Sequence, residues 1–254
     1  MTERIYQALG LVVICATVIT CVEIEPGITP GPPGYKEDPS LRGITVTGRI
    51  KLVGSLPRYD PVPVYRDSDF CGEAIPNEEV LVDTESQAIE GVVVSLEGIT
   101  AGKPLPKEQT RVIESRGCRF IPRVSATVVD SVLAVQSIDP IMHNTHLRLD
   151  SRFGDTVINI VQPAGARGIQ RRISTPGLLD VRCDIHPFMR AFIHVFEHPY
   201  FAVTDAAGRF EISQVPPGTY TLKLWHERLR EREQTITIPA QGPLKLELEM
   251  GLRR

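Results

Sequence analysis

The 254-residue sequence predicts an all-β protein. Short alternating or β-branched runs recur from Gly43 onward, the pattern of half-buried strands. They are separated by turn residues, among them "DAAG" (Asp205 to Gly208), which suits a type I turn, and "VPPG" (Val215 to Gly218), which suits a type II turn. Only "WHERLRERE", Trp225 to Glu233, has helical composition, and so short and charged a stretch reads equally well as a solvated hairpin tip.

The elements follow in chain order. Ile5 to Val22 carries no charge after Arg4 and reads as an export signal over residues 1–22. Its apolar part is short of the roughly 20 residues that a comfortable membrane span requires. "VITC", Val18 to Cys21, resembles a bacterial lipoprotein cleavage box, which implies lipidation of Cys21. A lipidated Cys21, a clean cut and an uncleaved N-terminal membrane anchor stay open; each puts the protein in the periplasm or on the outer face of a bacterial membrane. Residues 23–42 include "PGITPGPPGYKEDP", too rich in Pro and Gly for helix or sheet, and are expected to form a mobile tether. The strand candidates then run "ITVTGRIKLVG", "GVVVSLEG", "ATVVDSVLAVQS", "THLRL", "TVINIV", "AFIHVFE", "RFEI", "TYTLKLW", "QTITI" and "LKLELEM".

A formal net charge of -3 without long single-sign runs argues against nucleic acid as a partner. Five cysteines carry more information. Cys15 and Cys21 lie in the signal region, and an oxidising compartment would pair two of Cys71, Cys118 and Cys183. Cys71 and Cys118 both stand beside glycine in turn-like contexts, whereas Cys183 opens "CDIHPFMR" with His186 and Met189 close behind.

Thiolate, imidazole and thioether form a soft donor set that suits copper. A further imidazole is available upstream in "SIDPIMHNTHLRL", as His143 or His146. The Asp139-Pro140 pair is turn-prone, so His143 is expected in a loop and His146 in the following strand, pointing away from a metal. Asn144 can tie this element to the Cys183 loop. His194, between Phe192 and Phe196 on one strand face, reads as packed or edge-solvated; His198 and His226 read as strand-end surface residues, and Arg182 and Arg190, which flank the loop, as a solvated pair in preference to a steering pair for an acidic partner.

"MHNTH" followed by "CDIHPFMR" resembles the cupredoxins, and among them the amicyanin and plastocyanin type. That resemblance implies a Greek-key β-sandwich over 43–197, with insertions over 60–109. It implies one copper per chain, cycling between Cu(I) and Cu(II), on His143, Cys183, His186 and Met189. It further implies that His186 lies nearest solvent, with Pro187 and Phe188 in a docking patch for redox protein partners of the cell envelope. With Cys183 given to the metal, Cys71 and Cys118 are expected to form the disulfide.

The stretch "TDAAGRFEISQVPPGTYTLKLWHE" resembles the carboxypeptidase regulatory-like family, which implies a second, transthyretin-like β-sandwich over 198–254. That range is short for a complete member, and "VTGRIKLVG" near Val46 looks like such a domain's opening strand. The expected function is therefore that of an exported type 1 copper protein, an electron carrier and not an enzyme. The alternatives are periplasmic copper handling, or a cell-envelope interaction module with structural zinc or no metal.

Overall fold

Alternation of buried and exposed residues along each strand, as in "RFEISQV", gives one face to a core and the other to solvent. The computed structural model describes residues 34–253 apart from Pro57 and Glu108, and these residues fold almost entirely as strands, so the all-β expectation holds. The signal segment with Cys15 and Cys21, and residues 23–33 of the tether, lie outside the described residues. Ser68–Cys71 is a single helical turn, and among the described residues no helix is long and apolar enough to cross a membrane.

Two sandwiches share the chain. In the first, a five-stranded sheet runs in the order Thr156–Gln162, His143–Leu149, Gly177–Arg182, Arg190–Phe196, Val124–Val128. It faces a four-stranded sheet ordered Ile169–Ile173, Ser131–Ser137, Thr110–Ser115, Phe120–Ile121. Leu147, Leu179, Val181 and Ile193 of one sheet meet Ile113, Leu133, Val135 and Ile173 of the other in a single buried core. Each fully buried aliphatic side chain there contributes about 1.5–3 kcal/mol.

The second sandwich corrects the linear division at 197/198. Its four-stranded sheet, ordered Phe201–Val203, Val93–Glu97, Gly218–Trp225, Arg232–Ile238, borrows Val93–Glu97 from upstream. Its three-stranded sheet places Ile44–Val53 centrally, antiparallel to Arg209–Val215 and parallel to Leu244–Gly251. The 56 C-terminal residues after His198 supply too few strands to cover both faces, so Val46, Ile50, Val94 and Leu96 complete the core from the N-terminal side. The "DAAG" turn closes with Gly208 N–H donating to Asp205 O at 2.8 Å. Gly208 adopts φ 70°, and a Cβ there would stand 2.6 Å from the Ile50 carbonyl oxygen, so no other residue fits.

The end of the tether is docked, contrary to the mobile expectation. Lys36–Glu37 pairs parallel to Ala101–Gly102, and buried Tyr35 donates its hydroxyl to the Lys103 carbonyl at 2.6 Å. Trp225 ends a strand and packs edge-on against Phe192 of the first sandwich, with Val93 and Ala126 beside them. The following residues connect strands without helix, and His226 is buried rather than on the surface.

Candidate metal centre

Antiparallel pairing of His143–Leu149 with Gly177–Arg182 places His146 opposite Arg182. The chain beyond Arg182 therefore emerges beside the start of the histidine strand. Residues 183–189 then form the loop of a hairpin, since Gly177–Arg182 pairs back onto Arg190–Phe196 with Arg182 opposite Arg190. Two like charges face to face would splay that hairpin. The 1 % exposed Asp180 stands between them, 3.0 Å from the Arg182 guanidinium and 2.8 Å from that of Arg190, so these arginines are a clamp on the loop and not a solvated pair.

The four residues expected as ligands all lie at this end of the sandwich, and all are buried: His143, Cys183, His186 and Met189. His143 Nδ1 lies 3.1 Å from His186 Nδ1, and the Cys183 sulfur lies 3.7 Å from that same nitrogen. Ligand atoms of His143, Cys183 and His186 all fall within 4.8 Å of one another. A three-coordinate ion with bonds of about 2.0 Å to nitrogen and 2.3 Å to sulfur needs N–N and N–S separations of roughly 3.5 and 3.7 Å. The His143–His186 and Cys183–His186 separations, 3.1 and 3.7 Å, come within a few tenths of an ångström of that requirement.

Carboxylates set the orientation of both rings. His143 Nε2 is 2.9 Å from Asp139 Oδ2, and His186 Nε2 is 2.8 Å from Asp67 Oδ2. An ionised carboxylate only accepts, so each Nε2 carries a proton and each Nδ1 presents a lone pair. The two lone pairs converge on one another in a buried pocket. Burial pushes protonation of His143 down, more than its hydrogen bond to Asp139 pushes it up, so a shared proton is a poor answer to that convergence. A soft cation is a good one.

The sulfur is prepared in the same sense. Backbone N–H groups of Asn144 and His186 each donate to Cys183 Sγ at 3.4 Å, a setting that favours thiolate, while burial pushes the metal-free thiol up. Asn144 does tie the two elements together. Its Nδ2 donates to Asp184 Oδ2 at 2.8 Å and to Asn159 Oδ1 at 3.0 Å, and its Oδ1 accepts from Asp184 N–H at 2.6 Å.

His146 lies on the opposite strand face, with Nδ1 2.8 Å from Asp184 Oδ2 and Nε2 2.8 Å from the Thr156 hydroxyl. Its nitrogens are thus committed away from the donor triangle. His143 itself is the first residue of the strand and not part of a loop. His194 packs edge-on against Trp225, at 4.3 Å between centroids.

One linkage was not expected from sequence. Cys71 and Cys118 form a disulfide with Cα atoms 5.6 Å apart, and Asp139 accepts the N–H of Cys118 at 2.9 Å and of Gly117 at 2.6 Å as well as backing His143. The bond itself was expected; its linkage to His143, a candidate ligand, was not. Cys118, although close to Asp139 and His143, has its sulfur in that bond and cannot serve as a thiolate ligand. The expectation that His186 lies nearest solvent is corrected: its exposure is 0 %, and Asp67, from an upstream turn, covers its outer edge. Pro187 is exposed and Phe188 half-buried, 5.6 Å from the His186 ring.

A family model described as polysaccharide lyase family 4, domain II, matches residues 197–245. It is this model, rather than a carboxypeptidase regulatory-like one, that matches the C-terminal region. None of the curated proteins compared matches the chain. Among solved structures, the chain is similar to a copper-containing nitrite reductase from Thermus scotoductus, at 22 % identity over 40 % of this chain and 24 % of that one, with a TM-score of 0.30. The match spans about a quarter of that enzyme's length. It is also similar to amicyanin from Paracoccus versutus, at 17 % identity over 36 % of this chain and 85 % of that one, and to a reduced amicyanin mutant, at 16 % identity over 37 % and 97 %, both with TM-scores of 0.30.

Proposed function

We propose that this protein is an exported type 1 copper protein that carries single electrons between redox partners of the cell envelope, without covalent change to a substrate. One observation carries the reading: two imidazole Nδ1 lone pairs and a hydrogen-bonded thiol converge in a buried pocket, each ring held by its own carboxylate. His143, Cys183 and His186 would hold the ion, with Met189 as the fourth member of the set. Copper there would supply a one-electron couple between Cu(I) and Cu(II), and the Met189 thioether would be the group that tunes its potential.

The chain's own contribution is rigidity. Asn144 locks the His143 strand to the Cys183 loop, Asp180 pins both ends of that loop, and two N–H groups hold the sulfur, so little has to move when the charge on the ion changes. The disulfide supports the placement outside the cytoplasm, where such bonds persist. Full-length chain loaded with one equivalent of Cu(II) should be bleached by one electron and restored by reoxidation, without loss of metal. Release of copper on each reduction would instead favour a copper-handling protein, and a site that takes only Zn(II) would favour a structural module.

A further inference from the structure

The turn before the helical stretch Ser68–Cys71 is unlike the rest of the site's surroundings. Asp67 stands at the N-cap of that stretch, where an aspartate ordinarily turns its carboxylate onto the backbone N–H groups that follow. Here it makes no such bond. Its backbone is left-handed, at φ 53°, which carries a steric cost for a residue other than glycine, although Asn and Asp bear it best. The carboxylate is aimed instead at His186 Nε2, 2.8 Å away, across 119 positions of sequence. Asp67 thus forgoes its local partner for a contact with a residue of the donor triangle.

The turn is fastened at its far side. Cys71 N–H donates to the Asp67 carbonyl at 2.9 Å, and Cys71 is bonded to Cys118. The neighbouring Val62–Pro63 and Ala74–Ile75 pair as a two-stranded ribbon around the turn. With the side chain of Asp67 39 % exposed and that of His186 at 0 %, the carboxylate is the layer between imidazole and solvent.

We propose that Asp67 is a positioning residue of the metal centre: carried on a disulfide-fastened turn, it fixes the Nε2–H tautomer of His186, aims Nδ1 at the ion, and closes the outer edge of the ring. The proposal deepens the copper reading and rests on it for the identity of the metal. Its tautomer arm does not. Asp67→Gly removes the carboxylate while tolerating the left-handed backbone, and Asp67→Asn keeps an accepting oxygen in place without the charge.

The test compares full-length wild type with both variants, first metal-free and then loaded with Cu(I). Long-range proton–nitrogen correlation of the metal-free imidazoles should show Nε2–H for His186 in wild type and in Asp67→Asn, and a substantial Nδ1–H population in Asp67→Gly. Capture of Cu(I) by an external chelator should then be about 10- to 100-fold faster from Asp67→Gly than from wild type, with Asp67→Asn between them. An unchanged His186 tautomer in Asp67→Gly, or chelator capture at the wild-type rate, overturns the proposal. Wild-type protein that binds no copper while the tautomer still shifts in Asp67→Gly overturns the copper reading alone and leaves the positioning role standing.

Discussion

Asn144 and His146 stand two residues apart on the same strand, yet with His143 they divide the work cleanly. His143 faces Cys183 and His186; Asn144 stitches the strand to Asp184; His146 is bound by Asp184 and Thr156. His143→Gly should therefore lose metal affinity and any sulfur-to-copper colour, with partial recovery on adding imidazole, whereas His146→Gln should keep both. Isothermal titration with copper beside a visible spectrum checks the pair. The candidate ligands were legible because each of two short motifs carries its own chemistry. Asp139 was visible only as a turn former next to Pro140, although its spacing of four from His143 held a clue. Asp67 had no sequence signal, since a single aspartate 119 positions away is indistinguishable from any surface turn residue.

At the scale of elements, the disulfide joins the turn that bears Asp67 to the segment whose N–H groups hold Asp139. Closing a loop of 47 positions stabilises by about 4 kcal/mol in the chain-entropy model. Cys71→Ala with Cys118→Ala should lower stability by a large part of that in a denaturant titration and weaken metal binding as well. Unaltered affinity in a correctly folded double variant would show that the carboxylates hold their places unaided. Most long strands could be read from alternation, but Gly177–Arg182 could not. Asp180 interrupts its apolar pattern at a position buried on both faces, and only the two arginines that meet there make a charge tolerable.

At the scale of the whole molecule, the described residues from Gly34 to Arg253 belong to one compact unit, in which the cores of the two sandwiches interlock through the chain. The resemblances in sequence were local and suggested consecutive domains; sheet pairing is not local, and Ile44–Val53 crosses to the second sandwich because its partners come last. A chain ended after Glu197 would strip both neighbours from that strand and expose Val46, Ile50 and Leu52. It should bind an apolar dye and lack a sharp melting transition; a melt matching the full chain would contradict the interlocked description.

Buried His226 adds a pH dependence to the same unit. Burial, aided by Arg123 and Arg253, holds it down at about 4, against roughly 6.5 when unfolded. Its folded value is depressed, so its contribution is full above about pH 6.5 and is lost as pH falls toward 4, by about 2 kcal/mol at pH 5. His226→Gln should show a shallower fall in melting temperature between pH 7 and 5, and an unchanged slope would assign the loss to other groups.

The most direct test of the metal centre is the visible spectrum of full-length protein during stepwise addition of Cu(II), run beside Cys183→Ser. The proposed copper reading, in which the grouped His143, Cys183 and His186 hold one ion, requires an intense blue or green band that saturates at one equivalent and is absent in the variant. A wild-type complex with one bound Cu(II) and no such band would contradict it.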